Sequence, residues 1–97
     1  MLKHIVMWKL HDTPERAANA VEMKRRLDEC ANIVPGILTF EVVIAQPGLE
    51  ATYDVVLYSE FADQAALHAY ATHPTHEAVK PFIGAIRSER QCMDYEV

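Results

Sequence analysis

Ile37-Leu38-Thr39-Phe40-Glu41-Val42-Val43-Ile44-Ala45 and Tyr53-Asp54-Val55-Val56-Leu57-Tyr58-Ser59-Glu60-Phe61 flank the turn Gln46-Pro47-Gly48 in the middle of the chain. Both runs are rich in β-branched and aromatic side chains, which favours strands, and Leu49 to Thr52 completes the loop between them. Outward from this pair the pattern changes. On the N-terminal side Asp12-Thr13-Pro14-Glu15 predicts a helix start, with Thr13 as the cap and Pro14 in the first turn. Ala17, Ala20, Met23, Leu27, Cys30 and Val34 then recur three and four apart along one stripe, and Pro35-Gly36 ends it. On the C-terminal side Asp63 caps a short helix through about Ala71, with Leu67 and Tyr70 on one face. His73-Pro74 breaks that helix and starts a second one carrying Val79, Phe82 and Ile83, which Pro81 is expected to kink.

The two ends of the chain are strands. Leu2 to Leu10 alternates, placing Leu2, His4, Val6, Trp8 and Leu10 on one face and Ile5 and Met7 on the other, between Lys3 and Lys9. Arg87 to Glu96 is the last strand. The order strand, helix, strand, strand, broken helix, strand predicts an α+β, ferredoxin-like split βαβ fold over a single domain, residues 1–97. Its four-stranded antiparallel sheet carries helices on one face only. The central strands are nevertheless apolar on both sides: Leu38, Phe40, Val42 and Ile44 against Ile37, Val43 and Ala45, then Tyr53, Val55, Leu57 and Phe61 against Val56 and Tyr58. A bare apolar sheet face is not left in water, and a second copy of the same sheet is the economical cover. A homodimer is expected, its two sheets pairing into a dimeric α+β barrel.

With 97 residues, 51% of them apolar, the chain is globular and near the small end of what buries a self-sufficient core. A formal charge of −5 excludes a nucleic-acid backbone as partner. The one basic run, Lys24-Arg25-Arg26, splays around the outer side of a helix as a solvated face. Cys30 and Cys92 lack the spacing of a zinc or redox motif and read as small buried or half-buried residues. No apolar run approaches the roughly 20 residues of a membrane span, and the alternating N-terminus is unlike a signal peptide. The expected location is the cytoplasm.

Tyr70-Ala71-Thr72-His73-Pro74-Thr75-His76 gathers three groups able to trade or orient protons around a proline suited to a first helical turn. A helix opened by Pro74 would hold His76 near its positive end, which disfavours the imidazolium.

Together with Lys3-His4-Ile5-Val6, Tyr53-Asp54-Val55, Ser59-Glu60-Phe61, Ala69-Tyr70 and the closing Asp94-Tyr95-Glu96, the His73-Pro74-Thr75-His76 run makes the whole chain resemble the stress-responsive A/B barrel (Dabb) family. Members are small dimeric proteins of the dimeric α+β barrel type. One plant branch contains olivetolic acid cyclase, which folds a linear polyketide by aldol condensation without a metal. In that branch the chemistry is assigned to the second His of His-Pro-x-His and a tyrosine six residues before it, and a His in the Lys-His start lines the pocket. The resemblance therefore carries those roles to His76, Tyr70 and His4.

His76 is accordingly the candidate general base, removing a proton next to a carbonyl, and Tyr70 the donor to the developing enolate oxygen. His4, with Val6 and Trp8 on its strand face, is a candidate ligand-facing group, as is His73, whose simplest role is a cap before Pro74. The expected pocket lies between the sheet and the broken helix. A metal is not expected, since a proline separates His73 from His76 and no acidic ligand is plainly presented. Gly36, Gly48 and Gly84 form no phosphate loop, so neither a flavin nor a nicotinamide is expected. Three classes stay open: a cofactor-independent acid–base enzyme on a small carbonyl compound, a binder of an apolar small molecule, and a structural stress-protective dimer.

Overall fold

Four strands, β1 (Leu2–Leu10), β2 (Ile37–Ile44), β3 (Val55–Phe61) and β4 (Arg87–Glu96), form one antiparallel sheet in the order β2-β3-β1-β4. A computed structural model describes residues 1–97. Helix α1 (Arg16–Asp28) and the short helices α2 (Gln64–Thr72), α3 (Pro74–Glu77) and α4 (Lys80–Ile86) all pack on one sheet face, giving the ferredoxin-like α+β fold. Alternation in β1 decides which face. Leu2, Val6, Trp8 and Leu10 are buried under the helices, with Val6 directly opposite Leu57. From α1 come Ala20, Met23 and Leu27, and from α4 come Ile83 and Ile86. No helix is long and apolar enough to cross a membrane.

Several local expectations are corrected. Thr13 Oγ1 accepts the Glu15 N–H at 3.3 Å, but α1 begins only at Arg16, one residue after an uncapped Glu15. The helix also ends at Asp28; the chain then descends in turns, with Cys30 fully buried and Val34 partly so. These turns lead into Gly36, whose φ of 92° suits glycine and whose Cα faces Ala66 so closely that a Cβ would lie 2.8 Å from the Ala66 methyl. Pro81 does not kink a helix. It sits in the first turn of α4, where no backbone bond is lost, so Pro74 and Pro81 each open a separate short helix.

In β2, Ile37 pairs with Phe61 and Thr39 with Glu60, leaving Leu38 as a bulge. The extra residue turns Ile37 toward the core and leaves Leu38 57% exposed, the reverse of strict alternation. Tyr53 likewise leaves the core face. Asp54 takes the last ladder position, its N–H bonding Trp8 O at 2.9 Å and its carboxylate accepting the Leu10 N–H at 2.7 Å. The Tyr53 ring instead lies under Lys9 on the helix-free face, its hydroxyl donating to Glu89 at 3.1 Å. Cys92 is exposed, because β4 is an edge strand that no helix covers.

The helix-free face joins all four strands. Met7 and Val43 both lie opposite Val56, and Ile5 lies between Tyr58 and Met93. Polar groups also lie on this surface; among them the Glu60 carboxylate accepts from Tyr58 at 2.5 Å and from Thr39 at 3.1 Å, which holds its pKa below the usual carboxylate range. A hollow of about 680 Å³ opens on this side beneath residues 46–54, with Met7, Val43, Tyr53 and Val56 in its lining.

Candidate functional site

A cavity of about 540 Å³ lies on the other side, between the sheet and the helices α2 to α4. His4, Val6 and Trp8 of β1 form its floor, Tyr70 comes from α2, and His76 from α3. The strand alternation and the helix break thus converge on one space. His73 does not line it. Its Nδ1 accepts the Thr75 N–H at 3.1 Å and caps α3, so the ring serves the turn.

Asp63 starts α2 by accepting the Ala66 N–H at 2.9 Å, and the helix runs far enough to bury Tyr70 completely. The Tyr70 ring is held between Phe61, at 5.3 Å between centroids, and His76, at 4.5 Å. Its hydroxyl is buried without a hydrogen-bond partner. Burial drives the phenol pKa well above its ordinary value, so the hydroxyl keeps its proton and remains a donor.

His76 Nδ1 lies 3.0 Å from Ala71 O. A carbonyl oxygen only accepts, so Nδ1 carries the proton and Nε2 is left as the free ring nitrogen. The His76 pKa is lowered, chiefly by burial, with the Ala71 carbonyl acting in the opposite direction and the Lys80 charge adding to the lowering. The neutral ring expected from the sequence is therefore favoured, but α3 is a single turn and burial leads the causes.

His4 is held by a residue for which no local pattern predicts a role. Asp94 Oδ1 receives the His4 Nδ1–H at 2.5 Å, and Ser59 Oγ donates to the His4 carbonyl at 2.7 Å. Asp94 reaches it because β4 runs beside β1 with Asp94 opposite His4. The same register brings Arg90 opposite Trp8 and Arg87 opposite Leu10, and both arginines line the cavity. Only the pairing of the first and last strands, once assumed, would have signalled these three residues. No group of three or more His, Cys, Asp or Glu side chains has metal-binding geometry. The arrangement suits proton transfer: a neutral imidazole beside a protonated, unpartnered phenol in a largely apolar space.

Solved structures of the same architecture are numerous. A dimeric protein of unknown function with a ferredoxin-like fold from Bacteroides fragilis is 33% identical, with a TM-score of 0.85 over 99% of this chain and 95% of its own. A dimeric ferredoxin-like protein of unknown function from Jannaschia is 27% identical, with a TM-score of 0.81 over 99% of this chain and 98% of its own. A Dabb family protein with a ferredoxin-like fold from Mesorhizobium loti is 27% identical, with a TM-score of 0.72 over 99% of this chain and 95% of its own. No curated protein matches the chain at a significant level. Residues 2–97 match the stress responsive A/B barrel domain, and the chain belongs to that family.

Proposed function

We propose that the protein is a homodimer, paired through its helix-free sheet faces, in which each protomer performs cofactor-independent acid–base chemistry on a small carbonyl compound. The observation that carries the catalytic reading is the Ala71–His76–Tyr70 arrangement. His76 Nδ1 is spent on Ala71 O, which leaves Nε2 as the free nitrogen of a ring 4.5 Å from that of Tyr70, whose hydroxyl has no partner. Nε2 takes a proton from the carbon next to the carbonyl, the electron pair moves onto the carbonyl oxygen, and Tyr70 O–H donates to that oxyanion. The enolate carbon then adds to a second carbonyl, as in an aldol closure, and the His76 proton passes to the new alkoxide. His4, oriented by Asp94, positions the substrate on the cavity floor.

The apolar outer face and the dimeric state described for the Bacteroides and Jannaschia relatives support the pairing. The cytoplasm, a reducing compartment, suits two free thiols, Cys30 and Cys92.

The test needs no physiological substrate. In D₂O, NMR is used to follow exchange of the protons beside the carbonyl of 2-nonanone. The protein is expected to accelerate exchange and His76→Ala to abolish the acceleration. Binding of 2-nonanone without exchange would establish a binding protein instead, and equal rates with wild type and His76→Ala would remove His76 as the base.

A further inference from the structure

The cavity has two chemically different ends. Trp8 stands four residues along β1 from His4, about 13 Å in an extended strand. At the His4 end are Asp94, Tyr70 and His76, and at the Trp8 end are Arg90 and Arg87. Val6, Leu57 and Ile83 make the space between them apolar.

The cations at the second end are unspent. Among the nine Lys and Arg of the chain, six form ion pairs with carboxylates, and Lys9, Arg87 and Arg90 form none. Lys9 lies on the opposite sheet face against Tyr53. Arg87 and Arg90 therefore leave two free guanidinium groups on one cavity, in a protein whose net charge is −5. Lys80, also at the cavity, is engaged by Glu77 at 2.6 Å. Beside Arg90, Trp8 is 5% exposed and its indole Nε1–H is buried without a partner. Two unpaired arginines on an exposed strand and an unsatisfied indole N–H at the same end of the cavity form a donor set that an anionic oxygen group satisfies.

We propose that the cavity takes an elongated carboxylate. Its anionic end is held by Arg87, Arg90 and the Trp8 indole N–H, an apolar chain crosses Val6 and Leu57, and a carbonyl lies at the Tyr70–His76 end. Asp94 sets the direction, since its carboxylate repels the anionic end from the His4 side. Only the placing of the carbonyl rests on the catalytic reading above; the anion site stands on its own residues.

The test is calorimetric titration of the intact protein with 8-oxononanoate and with its methyl ester. The carboxylate is expected to bind about tenfold tighter or better at low salt, with the preference shrinking as salt rises. Arg87→Gln/Arg90→Gln, on an exposed strand, should bring the two affinities within about twofold while leaving the ester unchanged. The Trp8 indole N–H resonance should shift on saturation with the carboxylate and move less with the ester. His76→Ala should keep the preference even where it abolishes proton exchange, so the two readings fail separately. Equal affinities in the wild type, a preference that survives the double substitution, an unmoved Trp8 N–H, or no binding of 8-oxononanoate at millimolar concentration would each overturn the proposal.

Discussion

Asp94 and His4, ninety residues apart in the chain, are joined by a hydrogen bond of 2.5 Å across the cavity floor. The carboxylate fixes the tautomer, since Nδ1 must carry the proton, and it fixes the ring plane. Asp94→Ala is expected to release both. Nitrogen NMR of the His4 ring should then show mixed tautomers, and α-proton exchange should fall about tenfold, or ~1.4 kcal/mol, the scale of one partly exposed charge-assisted bond.

Tyr70→Phe separates stability from chemistry. The hydroxyl it removes is buried and unpaired, so urea unfolding should show a gain of ~1 kcal/mol. Exchange should meanwhile fall about a hundredfold, the usual cost of one oxyanion donor. A protein that is less stable yet fully active would contradict both halves.

His76→Ala should lower exchange by about 10²–10⁴, with little change in affinity for a saturated apolar ligand. The wild-type rate should stay level through neutral pH and decline only below 6.5, because burial places the folded His76 pKa under that ordinary value. The same shift bears on folding. The unfolded imidazole takes its proton first as the pH drops, so the His76 contribution to stability is complete above 6.5 and is lost as the pH falls through the lower folded value. Proton NMR titration and unfolding curves of wild type and His76→Asn measure the two effects, and a His76 midpoint above 6.5 would reverse both signs.

Val56 lies opposite Met7 on one side and Val43 on the other, at the middle of the helix-free face. Val56→Asp is expected to give monomeric, insoluble or unfolded protein. Light scattering that finds the wild type stably monomeric at micromolar concentration would refute the dimer.

Gly36→Ala meets two obstacles together, a φ of 92° and a methyl 2.8 Å from Ala66. A loss of about 1–3 kcal/mol is expected in denaturant unfolding. An unchanged midpoint would mean that α2 moves away from the turn without cost.

The fold was legible because strand periodicity and punctuation agreed: Leu2 to Leu10 alternates cleanly, Asp63 is a working cap, and Pro74 opens a helix as its type predicts. The pocket followed, since His4 shares a face with Val6 and Trp8, and the helix carrying Tyr70 covers that face. What escaped was non-local or aperiodic. The Leu38 bulge inserts a residue into a two-residue period and reverses the faces of Ile37 and Leu38, and Tyr53 lies before the start of β3, where alternation no longer sets its face. Asp94, Arg90 and Arg87 belong to the site only through the register of β4 on β1, which no local pattern encodes.

β4 is exposed along all ten of its residues, yet it supplies one carboxylate and two guanidinium groups to the cavity. The buried core is built almost wholly without it. Substitutions at Arg87, Arg90 and Asp94 therefore change the lining of the cavity and leave the buried core of the protomer untouched. The cavity thus has one wall outside the core: Tyr70 and His76 are held in its roof, while the charged groups across from them sit on a strand whose side chains lie in solvent.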